Sequence, residues 1–174
     1  LRFSIVGPPG GTATTVTVAE IENQIRVLNS IFVPRVGMYF YLDTFDIFQS
    51  SSWASMCNTD PCYVSEDCGF YTTILPKVSQ NPVEVVNIVV CDLPYLGEAQ
   101  WAWATEEDDV RQYIQLGLNA LPNRDSIARG KTLVHEMGHY MGLLHTFERT
   151  DQCDADGDYV SDTAPSSKAA SRVA

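Results

Sequence analysis

Apolar residues recur along the chain at two different periods, and the changes of period mark its elements. Leu1 to Val6 (LRFSIV) reads as a strand, ended by Gly7-Pro8-Pro9-Gly10-Gly11, a run that supplies positive φ but few ladder donors. Thr17 with Glu20 three residues on forms a capping box, and Val18, Ile21, Ile25, Leu28 and Phe32 follow at helical spacing, so a helix covering one sheet face is expected. Val36 to Phe48 is aromatic and partly alternating, which predicts one or two strands; Ser50 to Tyr71 is polar and irregular, which predicts a cysteine-stapled loop. The β-branched run VVNIVVC, Val85 to Cys91, suits a central strand covered on both faces. Ala99 to Ala104 (AQWAWA) reads as a short strand, and Val110 to Asn119, where Ile114, Leu116 and Leu118 alternate with Gln115, Gly117 and Asn119, as another, with a helix as its rival. After Pro122 come a polar loop, a helix from about Lys131 to Gly142, and an acidic tail from Asp151. The pattern is α/β (α+β) in one domain over 1–174, without repeats.

Composition narrows the partners. The 174 residues are 45% hydrophobic and 19% charged, ordinary for a globular protein with a core of its own. The net charge of −11, with no Lys/Arg-rich run, argues against nucleic acid or an anionic membrane, both of which reward clustered cations. No apolar run reaches membrane-spanning length, and LRFSIVGPPGG lacks the charged start and long apolar stretch of a signal peptide, so a secreted protein would be present here in processed form. The five cysteines, at 57, 62, 68, 91 and 153, fit no Cys-x-x-Cys pair. Disulfides are the favoured reading over buried free thiols; the first four allow two bridges in any of three pairings, and Cys153 is left over.

The chemistry is concentrated in one helix. His135-Glu136-Met137-Gly138-His139 sits among the apolar Leu133, Val134, Met137 and Met141, which makes it helical, and residues four apart share a helix face, so both imidazoles can meet one ion. Gly142 lets the chain leave the helix in a left-handed turn, and His145 can then return to the same ion. Three neutral imidazoles suit zinc and leave a fourth position open; zinc lowers the pKa of water there to about 7. Glu136 can take that proton and pass it to a leaving amine. Chance occurrence of His-Glu-x-x-His-x-x-Gly-x-x-His in a chain this long is on the order of one in a hundred thousand from average residue usage, and all three histidines of the chain lie in it.

The eleven-residue pattern resembles that of the metzincin zinc proteases. Its flanks, Gly130 to Val134 before it and Gly157-Asp158-Tyr159-Val160-Ser161-Asp162-Thr163 after it, together with VAEIENQIRVLNSIF and VNIVVCDLP, resemble the pappalysin/cytophagalysin family, which includes secreted fungal and bacterial metalloproteases. The resemblance implies a zincin-like catalytic domain: a twisted mixed sheet with a backing helix and the active-site helix, and a substrate cleft along an antiparallel edge strand where peptide binds by β-addition. By position Leu96 to Trp101 is the candidate edge, with an ordinary loop as the alternative. Relatives also bind calcium in the loop corresponding to Asp158, Val160 and Thr163, here through the Val160 carbonyl; a solvated acidic loop including Asp154, Asp156 and Asp162 is the alternative. The family has a methionine-containing turn downstream of the third histidine and pairs the cysteine equivalent to Cys153 near it. This sequence has no Met after Met141, so a lower half incomplete after about residue 165 is expected, with a natural short form that folds differently there as the alternative.

The expected function is therefore that of a secreted zinc endopeptidase acting on protein or peptide substrates, with His135, His139 and His145 as zinc ligands, Glu136 as general base and Ca2+ as a second candidate ion. A metal-binding form without efficient proteolysis is the competing expectation.

Overall fold

Three consecutive apolar strands alternate between two cores, and this alternation sets the layers of the molecule. The computed structural model describes residues 1–59, 68–104, 106, 109–124, 129–147, 157–161, 163, 164 and 166. Five strands form one sheet in the order β2-β1-β3-β5-β4, with β1 Arg2–Gly7, β2 Thr44–Gln49, β3 Asn87–Cys91, β4 Gly97–Ala99 and β5 Tyr113–Gly117. All neighbours are parallel except β4, which runs antiparallel to β5 at one edge, pairing Gly97 with Leu116 and Ala99 with Ile114.

On one face Phe3, Ile5, Ile88, Val90, Ile114 and Leu116 pack against Ile21, Ile25, Leu28 and Phe32 of helix α1, Val18–Val36, and against Leu133 and Met137 of helix α4, Lys131–Tyr140. On the other, Val6, Val89, Cys91 and Tyr113 meet Cys57 of helix α2, Ser51–Thr59, and Phe70, Ile74, Leu75 and Val78 of a π-helical turn, Phe70–Ile74, that runs into helix α3, Leu75–Val78. Val85–Cys91 is thus central as its composition predicts: β3 is buried along its whole length. No helix among the described residues is long and apolar enough to cross a membrane.

The Thr17–Glu20 capping box forms in both directions. Helix α1 continues through Pro34 until Gly37, whose φ of 73° stops it. Of the one or two strands expected over Val36–Phe48 one forms, β2, and two further elements differ from the sequence reading. Residues 37–43 form no strand, because both backbone groups of Phe40 bond the side chain of Asn29, Phe40 N–H donating to Oδ1 at 2.8 Å and Asn29 Nδ2 donating to Phe40 O at 2.8 Å. A side-chain amide satisfies what a ladder would otherwise have to. The segment after Ser50 is not all loop: the Ser50 hydroxyl accepts from Trp53 N–H at 3.3 Å, and α2 follows. Finally, the strand expected at Ala99–Ala104 lies earlier, at Gly97–Ala99, and Ala102–Ala104 is a 3-10 turn.

Cys57 of α2 is bridged to Cys91 at the end of β3, one of the pairings the cysteine count leaves open; Cys68 is also disulfide-bonded, while Cys62 and Cys153 lie outside the described residues. The Cys57–Cys91 bridge closes a loop with a sequence separation of 34, and the chain entropy removed from the unfolded state corresponds to about 4 kcal/mol. The double variant Cys57→Ala/Cys91→Ala is expected to unfold about 8–15 °C lower than the parent in a thermal melt.

Candidate metal centre

Helix α4 is held at both ends by backbone and side-chain bonds. At its start Gln24, fully buried on α1, donates from Nε2 to Gly130 O at 2.8 Å. At its end Gly142 N–H donates to His139 O at 2.8 Å and Leu143 N–H to Gly138 O at 2.9 Å, with Gly142 at φ 99°. These two bonds and the left-handed glycine make a Schellman turn, the sharp exit expected of that position. The turn brings Leu143 O within 2.7 Å of His139 Nδ1 and sends the chain back so that His145 faces the helix.

The three imidazoles converge. Their Nε2 atoms lie 2.9 Å (His135–His139), 3.0 Å (His139–His145) and 3.2 Å (His135–His145) apart. Tetrahedral zinc with Zn–N bonds of about 2.0–2.1 Å spans about 3.3 Å between ligand nitrogens, so the triangle is small enough for one ion to reach all three. The tautomer fits as well: a carbonyl can only accept, so His139 carries its proton on Nδ1 and points the Nε2 lone pair at the other two rings. Burial, then the neighbouring His139 and His145, hold the His135 pKa below the usual imidazole range, which favours the neutral, ligating form. Among the described residues this is the one group of three or more His, Cys, Asp or Glu side chains placed to share an ion. His145 also stacks on Phe147, centroids 4.5 Å apart.

Glu136 projects from the same helix into the wall of an open cleft of about 390 Å³, with His135, His139, Leu144 and His145 on one side and Gly97, Glu98, Ala99 and Trp101 on the other. It is 6% exposed. Its pKa is raised to about 7, first by burial and then by the charge of Glu98. The close approach depends on Gly97: a Cβ there would stand 3.0 Å from Glu136 Cγ and 3.1 Å from both Thr132 Cγ2 and Gln115 O. A lone glycine in a strand often marks such a close backbone approach, a signal not used in the sequence reading. Within the Leu96–Trp101 segment, Gly97–Ala99 forms β4 at the edge of the sheet, with β5 as its strand partner.

Glu98 is a site-adjacent group that the sequence reading passed over. Paired with Gln115 in the ladder, it faces the sheet side away from α4, where Tyr113 Oη donates to it at 3.0 Å. Burial pushes its carboxyl pKa up, and hydrogen bonds from Tyr113 and Tyr95 oppose the shift. Asp158, Val160 and Thr163 share one short turn, in which Val160 N–H donates to Asp158 Oδ1 at 3.1 Å and Thr163 N–H to Val160 O at 3.1 Å. Asp154, Asp156 and Asp162 lie outside the described residues.

A mixed sheet with an antiparallel edge strand, a backing helix and a histidine helix that ends on a glycine turn is the metzincin fold. Mature mirolysin of Tannerella forsythia in complex with a cleaved peptide superposes with a TM-score of 0.68 at 19% identity, over 94% of this chain and 69% of that one. Residues 99–173 match the model of the M43 peptidase family, described as pregnancy-associated plasma protein-A. Extracellular metalloprotease 1 of Coccidioides posadasii is 55% identical over 147 residues, 83% of this chain and 50% of that protein. The extracellular metalloprotease of Pyricularia oryzae is 31% identical over 157 residues, 88% of this chain and 51% of that protein. The chain spans about half the length of the curated relatives it matches.

Proposed function

We propose that this chain carries the catalytic centre of a secreted, zinc-dependent endopeptidase, with His135, His139 and His145 as zinc ligands and Glu136 as general base. The observation that carries the reading is the convergence of three Nε2 atoms beside a buried carboxyl, in a cleft whose opposite wall is a sheet edge. When bound, zinc supplies a Lewis acid that polarises a carbonyl and acidifies water. The rest falls to the protein. The outer edge of β4 offers backbone N–H and C=O groups to an extended peptide, which adds as a further strand and presents a main-chain carbonyl to the histidines. Glu136, raised in proton affinity by its burial, accepts a proton from the attacking water and delivers it to the departing amine, so no covalent acyl intermediate is needed.

Secretion is supported by the extracellular relatives and by the Cys57–Cys91 bridge, since such bridges persist in oxidising compartments. Calcium at Asp158, Val160 and Thr163 stays outside the proposal, because the turn's own hydrogen bonds account for its geometry. The test is metal analysis combined with cleavage of an unfolded protein. About one zinc per chain is expected, with internal cleavage that a chelator abolishes and added zinc restores. Zinc without cleavage under any condition would instead support a metal-binding form, and absence of zinc would remove both readings.

A further inference from the structure

Two stacked indoles stand beside the cleft, and neither is among the side chains of the two cores. Trp101 lines the cleft with Glu136, His139 and His145. Trp103 stacks on it, ring centroids 5.2 Å apart and planes 10° from parallel, and is 66% exposed. Its pyrrole edge rests on the glycine turn that leads to His145: a Cβ on Gly142 would meet Trp103 Nε1 at 3.3 Å and Cδ1 at 3.5 Å. The stack is therefore braced against the loop of the third histidine, and its position relative to the metal centre is set before any ligand arrives.

We infer that Trp101 and Trp103 form the subsite for an aromatic substrate side chain on the acyl side of the cleaved bond; the inference rests on the peptidase reading and names part of its specificity. The peptide is taken to add antiparallel to β4, as β5 does on its other side. A peptide adding antiparallel to β4 runs toward its own N-terminus as β4 runs from Gly97 to Ala99, and Gln100 N–H still bonds Tyr113 O at 3.1 Å, so the strand direction continues to the tryptophans. Glu136 lies beside Gly97, and Trp101 is four positions further, on the order of 13 Å in extended chain. The side chains two to four residues upstream of the cut therefore reach the indoles. Chemistry follows from the stack: a flat, prepositioned aromatic surface gains most from another ring, offset or edge-on, at little entropic cost to itself.

The experiment is kcat/KM on internally quenched peptides that place Phe, Ala or Lys at each of those three upstream positions. At one of them the parent is expected to favour Phe over Ala by about tenfold, and the Phe:Ala ratio should fall to near one in Trp103→Ala and stay high in Trp103→Phe. A general folding defect lowers all substrates and leaves the ratio alone. A ratio near one in the parent, a ratio unmoved by Trp103→Ala, or a preference for Lys would overturn the subsite. Binding of the same peptides to zinc-loaded Glu136→Ala, followed by tryptophan fluorescence, separates this inference from the one beneath it. Phe-selective binding with no cleavage by any form sinks the peptidase and leaves the subsite; cleavage without Phe selectivity sinks the subsite alone.

Discussion

Glu136→Ala is expected to lower kcat/KM by on the order of 10²–10⁴, about 2.7–5.4 kcal/mol of transition-state stabilisation, while zinc content stays near one per chain. The separation of the two effects is the informative part. Glu136 is next to His135 in sequence but leaves α4 toward Gly97 and the sheet, and its carboxyl makes no part of the Nε2 triangle. On the proposed mechanism, removing it takes away the proton acceptor and leaves the ligand set intact. Glu136→Gln sharpens the comparison, because it keeps the volume under Gly97 and cannot accept a proton, so it should be as slow as Glu136→Ala. If either variant retained most of the parental turnover, with zinc bound, the general base would have to be another group.

What the sequence made legible follows from how local each feature is. The triangle of nitrogens depends on a four-residue helical repeat and on a glycine exit six residues long, both encoded within eleven consecutive positions, and the Schellman bonds from Gly142 and Leu143 are the expected consequence. The buried strand β3 was equally plain, since an unbroken β-branched run has few other homes. Features that depend on partners distant in sequence were not. Residues 37–43 look like strand by composition, and only the reach of Asn29 across eleven positions to Phe40 takes their backbone groups out of a ladder. Helix α2 begins on a single serine inside a polar stretch, too weak a signal against the cysteines around it. That Gly97 faces Glu136 while Glu98 faces Tyr113 depends on the β4–β5 register, which a three-residue strand cannot announce.

His139→Ala should behave in the opposite way to Glu136→Ala, losing the metal and activity together, with zinc falling well below one per chain after dialysis and turnover reduced by at least about 10³-fold. In the proposed centre His139 is the ligand on which the other two depend. Its Nε2 is within 3.0 Å of both neighbours, and its Nδ1 is tied to Leu143 O at 2.7 Å, so its ring fixes the turn that sends the chain toward His145 as well as filling a coordination position. With the ring gone, His135 on the helix and His145 on the loop remain, no longer tied together through His139, and two ligands hold zinc far less firmly than three. Thermal melts with and without zinc distinguish the variants without any turnover measurement. An ion present at a hundred times its dissociation constant adds about 2.7 kcal/mol to folding, so zinc should raise the midpoint of the parent and of Glu136→Ala by several degrees, and leave that of His139→Ala where it was. A zinc-dependent rise in His139→Ala equal to the parent's would mean that the ion binds elsewhere, and the triad would lose its role.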